Sequence, residues 1–209
     1  MRTMVAIPCM DMMHSQFVMS LTGLRLEGEV KFAYSVSSLV YDSRNNLARK
    51  AICEKFDQIL WLDSDMEFKP DLYKRLKEDL DQGLDMVSGL YVTRKNEIKP
   101  VVFKECGYKP KEGTNEVMPF AHTYYDYPKD SLFECAAVGF GGVLMKVSLV
   151  KAIDEKFGLP FSPILGFGED ISFCLRAADL GLKIHCDSRV KLGHVGNYTF
   201  EEKDYAQRS

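Results

Sequence analysis

Along this chain the pattern of apolar and polar positions changes period repeatedly, and each change marks an element. Residues 4–8, MVAIP, are apolar up to a proline and predict a first strand. Over 14–26, Phe17, Val18, Leu21 and Leu24 recur at helical spacing. VKFAYSV (30–36) predicts a second strand, and SRNNLARKAICEKF (43–56) a helix with Leu47, Ala51 and Ile52 inward. QILWL (58–62) predicts a third strand, apolar enough to be a central strand covered on both faces. KPDLYKRLKEDLDQG (69–83) has proline near its start and Gly83 at its end, the punctuation of a helix. LDMVSGLYV (84–92) is a fourth strand.

This alternation predicts an α/β fold with a mostly parallel central sheet flanked by helices. It breaks over 94–133, which is rich in Lys, Glu, Gly, Pro and Tyr. There, KPVVFK (99–104) and EVMPF (116–120) suggest a small antiparallel patch or flap. Of Tyr124, Tyr125 and Tyr127 in this stretch, packing is expected ahead of stacking on a sugar. FECAAVGFGGVLMK (133–146) restores strand character, SLVKAIDEKF (148–157) and GEDISFCLRAADLG (168–181) read as helices, and KIHCD (183–187) and VKLGHVG (190–196) as short strands. No repeat or linker is visible, so 1–209 reads as a single domain.

Composition narrows the function. A net charge of −3 gives no basic field for nucleic acid or an anionic membrane. No apolar run reaches the roughly 18 residues of a membrane span, and the N-terminus lacks the pattern of a signal peptide. The six cysteines are irregularly spaced with no C-x-x-C pair, which argues for reduced thiols rather than zinc or disulfides. A soluble, cytoplasmic protein is the expectation.

Four features carry chemistry. The third strand ends at Asp63-Ser64-Asp65, and in an open α/β sheet ligands bind beyond the carboxyl ends of the strands. Two carboxylates converging there repel unless a cation joins them. Mg²⁺ and Mn²⁺ take such oxygens together with substrate phosphates; the plainer alternative is a turn or a cap for the next helix. In Gly166-Phe167-Gly168-Glu169-Asp170, two acids open a helix, where they serve as caps or, if they face the same crevice, as a general base. His194 ends a strand between glycines, as a structural residue or as a metal ligand. Arg44 would lie in the first turn of a helix capped by Asp42 or Ser43, where its fork of donors suits a diphosphate; otherwise it is solvated.

Taken together and in this order, the Ile7-Pro8 strand end, SRNNLARKAI, ILWLDSDMEFKPD, VSGLY, GFGGVLMK, GFGEDISFCLRAADLG and LGHVG resemble the family-2-like glycosyltransferases of the GT-A, Rossmann-like fold. The resemblance covers roughly residues 3–196, and within that family the chain looks like the glycosyltransferase domains of large algal DNA viruses, the chloroviruses.

It implies a Mn²⁺ (or Mg²⁺)-dependent, hexosyltransferase-like enzyme that moves sugar from a nucleoside-diphosphate donor, UDP-linked (such as UDP-glucose) by preference, to a hydroxyl of a glycan or glycoprotein. A donor half over about 1–93 and an acceptor and catalytic half over about 94–209 are implied. Asp65 would ligate the metal, with His194 as a further ligand, and Asp63 would face the ribose or reach the metal through water. Pro8, Cys9 and Ser64 would line the nucleotide pocket and Arg44 would meet the diphosphate or base region. Gly141 and Gly142, within Gly139–Gly142, would let backbone approach the donor sugar, unless they mark a bulged strand. Asp170, beside Glu169, would be the base of an inverting transfer. The chain is short for this family and shows no second, acceptor-binding domain. Its tail, YTFEEKDYAQRS, has no structural stop, so a piece of a longer polypeptide is expected.

Two other classes remain open from sequence. A sugar-nucleotide nucleotidyltransferase needs a glycine-rich, basic loop after the first strand, which PCMDMMHSQF lacks. A non-catalytic nucleotide-sugar-binding module would leave Asp170 idle.

Overall fold

The structure, a computed structural model, describes residues 1–94, 97–196 and 199–206. In chain order come β1 (Arg2–Cys9), α1 (Ser15–Gly23), β2 (Glu29–Val36), α2 (Val40–Cys53), β3 (Gln58–Leu62), the short β4 (Met66–Glu67), α3 (Leu72–Leu80) and β5 (Met86–Leu90). The middle holds β6 (Val102–Pro110), β7 (Val117–Thr123), β8 (Leu132–Cys135) and β9 (Ala137–Val138). Next are β10 (Gly142–Lys146), α4 (Val147–Phe157), α5 (Glu169–Asp179), β11 (Ile184–Lys191), β12 (Gly193–Val195), β13 (Thr199–Phe200) and α6 (Glu202–Ala206). Of the tail that showed no structural stop, Tyr198 and residues 207–209 lie outside the described residues.

Seven strands form one sheet in the order β2-β1-β3-β10-β5-β11-β8. β1 is parallel to β2 and β3, and β11 is parallel to β5. β10 runs antiparallel between β3 and β5, and β8 antiparallel at the edge beside β11. Side chains alternate across each strand. Met4, Ala6, Ile59 and Trp61 therefore pack under α2, α4 and α5, whereas Val5, Ile7, Leu60 and Leu62 pack under α1 and α3. QILWL is buried throughout, as a strand covered on both faces must be.

The apolar run 133–146 is not one strand. It splits into β8, β9 and β10, of which β9 leaves the main sheet to pair with β6. With β7 these make the expected small antiparallel patch, longer than its sequence signals: β6 and β7 pair from Phe103–Thr123 to Pro110–Val117. Tyr127 is buried and stacked on Phe133, Tyr124 packs edge-on to the same ring, and Tyr125 is exposed. All six cysteines are free thiols, with Cys135, Cys174 and Cys186 buried.

Away from the carboxyl ends of the strands, Asp79 of α3 is 2 % exposed. One of its oxygens accepts from Arg189 Nη2 at 2.9 Å and the other has no hydrogen-bond partner. Burial, with the Asp187 carboxylate alongside, pushes Asp79 up to about 6. A carboxyl raised in the folded state costs stability above its folded pKa, and the cost vanishes as pH falls toward the ordinary 3.8. Asp79→Asn, which keeps a donor for Asp187, is therefore expected to stabilise the fold by about 1 kcal/mol near pH 8 and by much less near pH 4. Urea unfolding at the two pH values checks this, and an equal effect at both would refute it.

Candidate active site

The site is built at the carboxyl end of β3. After Leu62 the chain turns, the Asp63 amide donating to the Gly141 carbonyl at 3.3 Å and the Met66 amide to the Asp63 carbonyl at 3.2 Å. β4, too short to show in the sequence pattern, pairs antiparallel with β12, placing Met66 opposite His194. The Val195 amide donates to the Asp65 carbonyl at 2.7 Å. These backbone contacts bring His194 Nε2 to 3.5 Å from Asp65 Oδ2.

On its other side, His194 Nδ1 is 2.9 Å from the Val92 carbonyl. A carbonyl only accepts, so Nδ1 carries a hydrogen; Nε2 then donates to the Asp65 carboxylate in the charged ring and turns a lone pair on it in the neutral one. Two acceptors held face to face need a proton or a metal ion between them. Burial alone would push Asp65 up, but the His194 hydrogen bond and the charges of His194 and Arg94 hold it below the usual carboxylate range.

Asp63 does not join that pair. Its carboxylate accepts from Arg44 Nη2 at 2.8 and 3.1 Å, and Arg44 Nε donates to Glu169 at 3.2 Å. Arg44 is not where the sequence placed it. α2 begins at Val40, so Arg44 lies beyond the first turn, and its side chain is 2 % exposed. Its guanidinium sits 5.2–5.9 Å from the ring centroids of Trp61, Phe140 and Phe161. It is neither solvated nor open to a diphosphate. Instead it clamps the end of β3 to the start of α5.

The two partners feel this pairing differently. Burial disfavours the Arg44 charge, but Asp63, Glu169 and Asp170 more than restore it, so its pKa is raised. Burial pushes Asp63 up to about 6, because its one cation is opposed by Asp65 and Glu169. The difference is one of neighbours: three carboxylates favour the guanidinium, whereas two carboxylates oppose Asp63.

At the start of α5 the N-cap is Gly168 and provides no side-chain cap. Asp170 Oδ1 accepts from the Ile171 amide at 2.7 Å, so capping does occupy one of its oxygens. Burial and then the neighbouring Glu169 push Asp170 above the usual carboxylate range. Over this loop lies the β6–β7 hairpin, pinned by Tyr108, whose hydroxyl donates to the Leu165 carbonyl at 2.9 Å and whose ring meets Phe167. Gly166, at φ +82°, has Pro119 of β7 where a Cβ would go, so backbone and packing both require glycine there.

Pro8, Cys9, Ser64, Asp63 and Asp65 line one crevice of about 220 Å³ with Met10, Ser37 and Val40. A second crevice, of about 450 Å³, shares Met10, Ser64 and Asp65 with it and adds His14 and Arg94. Gly141 and Gly142 are buried instead. The places of their side chains are filled by Met66 and Tyr91 and by Leu192, so these glycines let the protein pack closely there.

Two site residues had no role in the sequence reading. Arg94 Nη1 is 2.9 Å from Asp65 Oδ2 and donates to the Val195 carbonyl at 2.6 Å. Tyr91 is buried edge-on to His194, and burial, with Asp63 and Asp170 nearby, pushes its hydroxyl well above the usual range. The only signal for either was position, Tyr91 inside the apolar run 84–92 and Arg94 just beyond it.

A divalent cation fits this donor set. Among the described residues no three His, Cys, Asp or Glu side chains form a metal cage, so the trio Asp63, Asp65 and His194 does not assemble. A carboxylate and an imidazole do face each other at Asp65 and His194, and Mg²⁺ and Mn²⁺ usually complete such a pair with water and substrate phosphates.

No protein-family model matches the chain, and no curated protein matches it. Among solved structures, A197 from STIV superposes with a TM-score of 0.64 at 16 % identity, over 94 % of this chain and 86 % of that one. TarS 1–349 of S. aureus superposes with a TM-score of 0.53 at 14 % identity, over 90 % of this chain and 58 % of that one. At these identities the likeness is one of fold, and it is the GT-A, glycosyltransferase-like fold. No helix among the described residues is long and apolar enough to cross a membrane.

Proposed function

We propose that this protein is a divalent-cation-dependent glycosyltransferase that moves a sugar from a nucleoside-diphosphate sugar, UDP-linked by preference, to a hydroxyl of a glycan or glycoprotein, with inversion. The chloroviral likeness in the sequence belongs to the same reading. The observation that carries it is the meeting, at one end of the sheet, of the Asp65–His194 pair, the Pro8–Cys9–Ser64 crevice and the Glu169–Asp170 helix start.

Residues 1–93 would hold the donor, with Asp65, and His194 from the far end of the chain, binding the cation. When bound, Mn²⁺ or Mg²⁺ supplies Lewis-acid stabilisation of the departing diphosphate. Residues 94–209 would cover the acceptor with the β6–β7 hairpin and present Asp170 as the base. Arg44 orients rather than binds: it holds Asp63 and Glu169 at fixed places on either side.

Calorimetric titration of UDP, UDP-glucose, GDP-mannose and dTDP-rhamnose, each with and without Mn²⁺, tests this. One nucleotide is expected to bind tightly only with metal, and Asp65→Ala to weaken that binding about 100-fold, the scale of losing a charged ligand. No binding to any of the four by the folded protein, or unchanged binding by Asp65→Ala, would overturn the reading.

A further inference from the structure

Asp65 Oδ2 serves two partners at once, Arg94 Nη1 at 2.9 Å and His194 Nε2 at 3.5 Å. Asp65 and His194 are the residues that would hold a cation, and Arg94 already occupies the Asp65 oxygen that faces His194. The two arginines of this site differ in freedom. Arg44 is 2 % exposed and held by Asp63 and Glu169 across three aromatic rings. Arg94 is 41 % exposed, is tied to Asp65 and the Val195 carbonyl, and lines the larger crevice beside His14 and Ser64.

From this, and resting on the proposed function, we infer that Arg94 holds Asp65 when no metal is bound, and that a divalent cation displaces it toward the donor's diphosphate. Charge favours this exchange. In the absence of a cation, Asp65 would sit partly buried near Asp63, and the Arg94 guanidinium at 2.9 Å neutralises it. Once a divalent ion takes the carboxylate, a guanidinium beside it is repelled. The nearest new anion is a diphosphate on the same ion, whose oxygens suit the two-pronged guanidinium. Side-chain exposure lets the swing occur without unpacking the core. The metal and donor sites are thereby coupled: bare metal binds weakly because it must evict Arg94, and metal with nucleotide binds better because Arg94 is re-used.

The test is Mn²⁺ binding, followed by electron paramagnetic resonance of free Mn²⁺, and UDP binding at saturating Mn²⁺, followed by calorimetry. Wild type, Arg94→Ala and Arg94→Lys are compared, with thermal unfolding of each as the fold control. Arg94→Ala is expected to bind Mn²⁺ alone about ten-fold more tightly and UDP with Mn²⁺ about ten-fold more weakly, each the scale of one charge-assisted hydrogen bond. Arg94→Lys, which keeps the charge without the fork, should fall between on both. These opposed shifts are something a merely structural role cannot produce. If the wild type binds both ligands and Arg94→Ala leaves Mn²⁺ affinity unchanged or lower, or leaves UDP affinity unchanged, the inference is overturned and the transferase reading stands. If the folded wild type binds neither Mn²⁺ nor UDP, both are overturned.

Discussion

Asp170→Asn is expected to slow sugar transfer by about 10²- to 10⁴-fold, the range of a positioned general base, while leaving Mn²⁺-dependent nucleotide affinity unchanged. Asparagine keeps the shape and can still accept from the Ile171 amide, so the helix start should survive. What it loses is the ability to take a proton from the acceptor hydroxyl.

The pH profile gives an independent readout. Burial and Glu169 raise Asp170 above the ordinary 3.8, and a base acts only when ionised. The wild-type rate should therefore fall on the acid side with a midpoint above 3.8, and the residual rate of the variant should lack that limb. Proton NMR of the product supplies the third arm, since an inverting enzyme yields the opposite anomer to its donor. A variant with undiminished turnover, or a product that retains configuration, would remove Asp170 from this role.

Arg44→Met is expected to cost about 3–5 kcal/mol of stability, the range for breaking a buried ion pair from one side. Methionine fills much of the space among Trp61, Phe140 and Phe161, so the loss reports charge rather than a cavity. Asp63 and Glu169 would be left without their cation, Asp63 already pushed up to about 6 with Arg44 in place. Arg44→Lys should recover little, because a single ammonium cannot replace Nη2 on Asp63 and Nε on Glu169 together.

Trp61 is the one tryptophan of the chain, fully buried and 5.7 Å from the Arg44 guanidinium. Its fluorescence during urea unfolding is a direct probe. Adding Asp63→Asn to Arg44→Met should return part of the loss, since the stranded charge is then gone. A loss below about 1 kcal/mol, the scale of a surface ion pair, would show that the clamp is not structural.

The sequence placed most strands and helices within a few residues, because periods of 2.0 and 3.6 report which positions face a core. It missed β4 and β13, each two residues long, and the short α6, and it gave 133–146 strand character without dividing it, because an apolar run says nothing of which sheet it joins. It also put α2 three residues late, which left Arg44 at a helix start it does not occupy.

For the site the division is similar. The sequence by itself determined that two acids stand at the end of a buried strand, that Glu169 and Asp170 open a helix, and that His194 follows a short apolar segment near the chain's end. Each of these is a local property, settled by neighbours a few residues away. Which acid meets which cation was decided only in three dimensions. The β4–β12 pairing carries His194 to Asp65, and the packing of α2 under the sheet sends Arg44 inward to Asp63 and Glu169. The end of β5 delivers Arg94 to the Asp65 oxygen that faces His194. Charge pairing depends on distances of a few ångströms between residues far apart in the chain, and periodicity carries no record of those distances.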